Sequence, residues 1–302
     1  LETTPINNSL PLGNPLLGQR TGFSVCLNAG FFCVVPVALS YEDTVNSTKA
    51  LFADATVKLG EQLDLFGGLR YSDYSNRTGV GSNVVTATRT SKIADKDISG
   101  RIGLSFKPDV NSTIYGSFAR GYKPPAIVVP TIATAAVTNL APEKADAFEI
   151  GAKIGLGRIQ LSANAFYSKV KNFQTQSSIF DSAGALISVT QNISQVKSKG
   201  FELGVLGRIS DKLSINGGYQ FNDVKFPAGF VGNDGISLAG KQFINAPKHK
   251  FTLSTDYGIP VGEATDLFVN ANLVYKSKVL LGQYGAAAYR YPSHEIINGR
   301  IG

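Results

Sequence analysis

The chain of 302 residues contains no methionine, no tryptophan, two histidines and two cysteines. Charge is scarce as well: Asp, Glu, Lys and Arg make up 17% of it, against about 25% in ordinary soluble domains. Each shortage removes a class of function. His249 and His294 stand apart from each other and from any cluster, so there is no metal site and no histidine-based catalytic set to build on. No strand carries a nucleophile, base and orienter at a defensible spacing, and an enzyme is the least favoured class. No apolar run reaches the roughly 18 residues of a membrane helix; Phe31–Leu39 and Ala126–Leu140 come nearest, and both contain proline. Without an initiator methionine or a basic start leading into an apolar segment, and with "IINGRIG" breaking off inside a strand pattern, the chain reads as processed or as a fragment.

The net charge of +7 is spread over lysines and arginines scattered singly along the chain. A nucleic-acid surface calls for a basic cluster or stripe, so nucleic acid is not an expected partner. Cys26 and Cys33 lie in an apolar, glycine-containing stretch. They either close a small loop disulfide in an oxidising compartment or remain two reduced, buried thiols.

What the sequence does have is glycine (32 residues), with 18 phenylalanines and 12 tyrosines, and an apolar period of two that recurs throughout. In "ALFADATVKL", Leu51, Ala53, Ala55, Val57 and Leu59 share one face, with Asp54, Thr56 and Lys58 on the other. "LDLFGGLRY" sets Leu63, Leu65, Leu69 and Tyr71 against Asp64 and Arg70. "ISGRIGLSF" opposes Ile98, Ile102 and Leu104 to Arg101, and "FEIGAKI" opposes Phe148, Ile150 and Ile154 to Glu149 and Lys153. The pattern returns in "IQLSANAFY" with Tyr167 on the apolar side, and in "FELGVLGRI" with Glu202 and Arg208 on the polar side. "LSINGGYQF", "FTLSTDYGI" and "LFVNANLVY" repeat it, with Tyr219, Tyr257 and Tyr275 apolar-facing and Asp256 polar-facing. About ten strands result, and another begins at Glu295.

The connections discriminate between β architectures. Short turns at Gly60–Gln62, Pro108–Asn111, Gly155–Arg158, Ser210–Lys212 and Pro260–Asp266 alternate with long segments. The long ones are Asn76–Lys96, Lys123–Lys144, Asn172–Ser198, Phe226–Pro247 and Val279–Ser293. A soluble sandwich has no reason to keep that order; an outer-membrane barrel has short periplasmic turns and long extracellular loops. The expected fold is therefore all-β, an antiparallel transmembrane β-barrel with an apolar outside and a polar lumen. Tyr71, Tyr167, Tyr219, Tyr257 and Tyr275, on apolar faces toward the long loops, suit an interfacial aromatic girdle. In "YGSFARGYKPPA", alternation puts Arg120 on the lipid side, which is tolerable only at the rim. Tyr122 then joins the girdle, Lys123 sits among headgroup phosphates, and Pro124-Pro125 ends the strand.

Several segments resemble the barrel of TonB-dependent outer-membrane receptors. They are "DISGRIGLSFKPDVNSTIYGSFARGYKPPA" (97–126), "LAPEKADAFEIGAK" (140–153), "LSANAFYSKVKNFQ" (161–174), "SKGFELGV" (198–205), "INAPKHKFTLSTDY" (244–257) and "INGRIG" (297–302). The resemblance covers residues 48–302 and leaves 1–47 as a segment like an extracellular loop that bears the cysteine pair. It implies a Gram-negative outer membrane, outer-membrane lipid and lipopolysaccharide as surroundings, and TonB-energised uptake of a scarce nutrient, most often a ferric siderophore. It also implies a plug domain inside 22 strands, through which TonB acts. Only 10–11 strands and no plug are legible here, so an incomplete barrel is expected. A passive porin and a secreted β-rich binding protein are the alternatives. No cofactor is expected. The resemblance places Cys26 and Cys33 in an early extracellular loop, where a disulfide would resist proteolysis.

Charged lumen candidates are Asp54, Lys58, Asp64, Arg70, Arg101, Glu149, Lys153, Glu202, Arg208 and Asp256. Loop residues able to stack on a substrate or fork onto its oxygens are Arg77, Arg89, Phe180, Phe230, Tyr284, Tyr289, Arg290 and Tyr291.

Overall fold

A computed structural model describes residues 40–82, 89–129, 137–180, 186–261, 266–286 and 289–302. Cys26 and Cys33, and with them the disulfide expectation, lie outside the described residues. In chain order the strands are β1 (Ser40–Lys58), β2 (Leu63–Ser82), β3 (Arg89–Asp109), β4 (Ser112–Lys123), β5 (Ala126–Val128), β6 (Thr138–Leu140) and β7 (Glu143–Leu156). There follow β8 (Ile159–Phe180), β9 (Leu186–Arg208), β10 (Leu213–Lys225), β11 (His249–Pro260), β12 (Asp266–Lys276), β13 (Val279–Leu280), β14 (Arg290–Tyr291) and β15 (His294–Ile301). All but four join one 11-stranded antiparallel sheet, ordered β1-β2-β3-β4-β7-β8-β9-β10-β11-β12-β15. The remaining pairs, β5 with β6 and β13 with β14, are small ribbons inside long connections.

Register explains why this sequence makes this sheet. One row of directly opposed residues runs Val57, Leu65, Leu104, Gly116, Ile150, Ala165, Phe201, Phe221, His249. Displaced by one residue, the next row runs Lys58, Asp64, Ser105, Tyr115, Gly151, Asn164, Glu202, Gln220, Lys250, Lys276, His294. A slip of one position would bring every polar group to the apolar face, so the pattern itself fixes the pairing. Tight turns at the short-connection end hold that register. The β7–β8 hairpin turns through Gly157 at φ +60°, where a side chain would be strained.

The polar face is crowded, and some strand glycines answer to that. Phe66 lies opposite Gly103, Tyr115 opposite Gly151 and Phe166 opposite Gly200. A Cβ on Gly103 would come 2.3 Å from the Phe66 ring, and one on Gly200 would come 1.9 Å from the Phe221 carbonyl oxygen. The aromatic ring lies over the space the glycine leaves open, which lets the sheet bend without exposing its backbone.

Two features differ from the pattern read in sequence. The segments 76–96 and 172–198, expected to be long loops, are largely strand: β2 continues to Ser82, β3 starts at Arg89, and β8 and β9 reach Phe180 and Leu186. These extensions are rich in Ser, Thr, Asn and Gln, so they lack the apolar contrast that marks a strand. The backbone ladder carries them to their tips, and between β1 and β2 side-chain bonds add to it, with Asn76 Nδ2 donating to Asn46 Oδ1 at 2.6 Å and the Thr44 and Thr78 hydroxyls 3.0 Å apart. Tyr257 also sits at the short-turn end of β11, opposite Leu213 and Val269, and not toward the long loops. Of the other four on the apolar face, Tyr275 lies at the long-connection end of β12 and Tyr219 midway along β10, while Tyr71 and Tyr167 lie nearer the short-turn ends of the lengthened β2 and β8. β1 begins at Ser40, so this strand runs across residue 47.

The sheet has no second layer among the described residues. The buried apolar cluster, Ile193, Val196, Val224, Phe226, Leu238, Phe243 and Leu280, gathers at the long-connection end.

Candidate functional site

The long-connection end is a folded platform. Its foundation is a kink in the β8–β9 hairpin. Asn172 takes a positive φ of 53°, and the β8–β9 ladder is interrupted there, between Lys171↔Gln195 and Phe173↔Ile193, with the register unchanged. Below the kink Val196 is buried; above it Ile193 and Thr175 are. Ile193 and Val196 both join the same buried cluster, Phe173 packs against it, and Thr175 bonds Gln283.

Onto that foundation pack the segments 226–248 and 277–286. Phe226 stacks on Phe230 at 4.7 Å and lies 4.6 Å from Phe243, which meets Phe173 edge-on at 5.4 Å. Gln283 is fully buried, and both ends of its amide are bonded: Nε2 donates to Thr175 Oγ1 at 3.2 Å and Oε1 accepts from Gln191 at 3.1 Å. Buried polar groups persist when satisfied this way. Asp234 ties the two segments together. Its Oδ2 accepts from the Gly285 and Ala286 amides at 2.7 and 3.0 Å, and its Oδ1 from Ile236 at 3.1 Å. Burial works to raise the Asp234 pKa, but these backbone N–H groups outweigh it and hold the carboxyl below its ordinary range.

The segment after β4 is sewn down separately. Pro124-Pro125 ends the strand, and Gln174 Nε2 donates to the Pro124 and Ala141 carbonyls at 2.9 and 3.1 Å. Asn192 bonds both the Ala141 amide and its carbonyl, at 2.8 and 3.1 Å. Glu143 accepts from Lys123 at 2.9 Å and from the Gln174 amide at 2.8 Å.

The loop candidates separate into groups. Tyr284 and Tyr289 stack face to face at 4.2 Å and 16°, beside Arg290 and Tyr291 of β14. Arg290 is exposed, and Tyr291 meets His294 edge-on at 5.1 Å. Phe230 belongs to the platform's packing, against Phe226. Arg77 is exposed on β2, opposite Val45 and Lys92, several strands away. The Arg89 backbone pairs with Val80 at the start of β3, and the Phe180 backbone with Leu186 at the end of β8.

The charged candidates share the polar face and are mostly paired along it. Arg101 meets Asp54 at 3.1 Å and Lys107 meets Asp64 at 2.6 Å. Arg70 donates to Ser72 at 3.2 Å, and Asn270 to Asp256 at 2.8 Å. Tyr115 donates to Glu149 at 2.5 Å, while Glu202 accepts from Gln220 at 2.6 Å and Asn164 at 3.2 Å. Lys58 and Lys153 are exposed. Arg208 leans toward the short turn, onto the Asp211 carbonyl. At the rim, Arg120 Nε donates to Asp146 at 2.8 Å, while the Tyr122 hydroxyl turns to Asp95 at 3.0 Å.

Sequence reasoning misses Asp234 and Gln283. "NDG" at 233–235 is a turn signal in which Asp accepts from the amide two residues on, and it points to Asp234. Gln283 has no local signal, because its partners are about 100 residues away in sequence. Replacing Asp234 with alanine is expected to quicken hydrogen exchange at Gly285 and Ala286 by about an order of magnitude. Because the folded pKa is depressed, the carboxylate's contribution is present above the unfolded value, about 3.9, and is lost as pH falls through the folded one. Exchange in the native protein should move toward that of the variant only as the pH is taken below the unfolded value and through the lowered folded one; unchanged rates in the variant would exclude the tether.

The family model described as TonB dependent receptor-like, beta-barrel, matches residues 7–302. The chain is 27% identical over 252 residues to a probable TonB-dependent siderophore receptor, PiuA, of Acinetobacter baumannii, covering 79% of this chain and 32% of that protein. It is 29% identical over 184 residues to a ferrioxamine receptor of Yersinia enterocolitica, covering 59% and 23%. Among solved structures, the ferric yersiniabactin uptake receptor FyuA of Yersinia pestis superposes with a TM-score of 0.72 at 19% identity, covering 90% of this chain and 40% of that one. The chain thus spans about a third or less of the length of these curated relatives. Barrels of this family stand in the Gram-negative outer membrane. The chain belongs to the TonB-dependent receptor β-barrel family, and its eleven-stranded sheet is part of such a barrel.

Proposed function

We propose that this wall and its platform belong to a receptor for TonB-energised uptake of a ferric siderophore. The observation that carries the reading is the fixed presentation of the Tyr284–Tyr289 stack beside Arg290, on loops anchored by Asp234 and Gln283. Aromatic faces suit the aryl rings or apolar arms of an iron chelate and a guanidinium fork its anionic oxygens, and an anchored site loses less entropy on binding than a free loop. The names of the relatives point the same way. Arg77, Arg89 and Tyr291 belong to the mouth as secondary contacts, and the charged residues of the polar face line the route and meet a plug. TonB acts through that plug, outside the described residues.

The test is uptake of radiolabelled iron by cells carrying the whole receptor gene, supplied in turn with catecholate, hydroxamate and phenolate complexes. Joint replacement of Tyr284, Tyr289 and Arg290 by alanine is expected to weaken apparent affinity for one class by about tenfold or more. Uptake must also collapse when the proton-motive force is dissipated. Uptake that survives dissipation identifies a passive channel, and indifference to all three complexes rejects the siderophore.

A further inference from the structure

One rung of the polar face, at the mouth end of the last strands, carries cations that nothing nearby neutralises. Lys250 is the second residue of β11, Lys276 the last of β12 and His294 the first of β15, and they lie directly opposite one another in that order. They continue the polar row beyond Glu202 and Gln220. Ammonium groups set directly opposite repel, yet among the described residues no carboxylate pairs with Lys250 or Lys276.

The carboxylates around the rung are engaged elsewhere. Glu202 is two strands from Lys250, about 10 Å at ~4.8 Å per strand, and its oxygens accept from Gln220 and Asn164. Asp256 lies six residues down β11, about 20 Å at ~3.3 Å per residue, and accepts from Asn270. Glu295 falls on the apolar-face parity, opposite Tyr275. Both lysines are half-buried, where charge is screened less than at an open surface. The pair therefore has unmet capacity for anions.

A second observation says what kind of anion. His294 meets Tyr291 edge-on at 5.1 Å, and Tyr291 follows Arg290 in β14, so the rung begins where the mouth group ends. The rung beneath it on the same face is Thr252, Val274 and Ile296, a hydroxyl and two apolar side chains. Paired cations above an apolar floor, next to the mouth, suit an anion with apolar bulk that arrives from outside. A neutral chelate would strip water from two facing ammonium groups and return no charge; an anionic one offsets their repulsion.

We propose that Lys250 and Lys276 form an inner anion station below the Tyr284–Tyr289 stack, and that this station selects iron chelates of net negative charge over neutral ones. The inference rests on the uptake reading and sharpens its substrate. The chelate carries surplus anionic oxygens, as a tris-catecholate complex of ferric iron does and a tris-hydroxamate complex does not. The stack and Arg290 hold its outer side, the two ammonium groups take the oxygens that face into the lumen, and Val274 and Ile296 receive its apolar part.

The test uses the whole receptor in nanodiscs, titrated with radiolabelled ferric tris-catecholate and ferric tris-hydroxamate. The native protein is expected to favour the anionic chelate by about tenfold or more, a preference that shrinks as salt is added. A K250Q/K276Q variant loses the preference and K250R/K276R keeps it. Lys276→Gln alone should lose about threefold while unfolding at no lower denaturant concentration than the native protein, because it relieves a like-charge pair; it serves if the double variant does not fold. Equal affinity of the native protein for the two chelates overturns the proposal alone, and binding of neither rejects the receptor reading with it. Unchanged affinities in the glutamine variants, with ion conductance newly gained, would assign the rung to a plug carboxylate and overturn the station.

Discussion

Replacing Gly200 with valine is expected to prevent the β8–β10 wall from assembling. A Cβ at this position would stand 1.9 Å from the Phe221 carbonyl oxygen and 2.9 Å from the Phe166 ring. Moving the ring does not help, because the nearer clash is with backbone on the next strand. Relief requires parting β9 from β10 at the Gly200↔Asn222 pair, and in a membrane wall each freed N–H and C=O has no water to turn to. The cost should reach about 3 kcal/mol or more, the upper range of overpacking. Denaturant unfolding of the reconstituted receptor measures it, and the fraction reaching the outer membrane reports it in cells. Gly60 is the comparison: it lies in a turn with nothing within 4 Å of a built Cβ, so Gly60→Val should fall within ~0.5 kcal/mol of the native protein. Equal behaviour of the two variants would remove the close-approach account.

That contrast also shows which parts of the fold can be read from sequence. The period of two is local and strict, so the strands, their faces and the alternation of short and long connections are legible in the amino-acid order alone. Gly200 is not, since "SKGFELGV" gives no hint that Phe166 and Phe221 close over it from two other strands. The lysines show the same limit. Lys169, Lys197 and Lys225 are isolated in sequence, where they form no basic cluster; antiparallel register brings them side by side. The extended β2–β3 and β8–β9 hairpins read as loops in sequence because they are rich in Asn, Ser, Thr and Gln and lack apolar alternation, while a continuous backbone ladder pairs them in the fold. In the platform, composition flags Tyr284, Tyr289 and Arg290, but their anchoring through Gln283 to Thr175 and Gln191 is a tertiary fact.

A lysine at Ile150 should be as damaging as the valine at Gly200, for an electrostatic reason. Ile150 is 62% exposed on the apolar face, flanked across the strands by Gly116 and Ala165. In the outer membrane that exposure is contact with hydrocarbon, where a cation near the bilayer middle costs about 2–4 kcal/mol. Escape along the strand is blocked. The carboxylate on this face nearest along β7 is Asp146, four residues away, about 13 Å at ~3.3 Å per residue. It already holds Arg120, and Phe148 stands between. The matched control is Ser117→Lys on the polar face, directly opposite Glu149; a carboxylate is at hand there, and the change should stay within ~0.5 kcal/mol. Unfolding free energies in lipid vesicles should therefore separate the two variants by about 2 kcal/mol, although the new charges differ only in which side of one pleated wall they occupy. If both lysines are tolerated alike, the apolar face does not meet lipid.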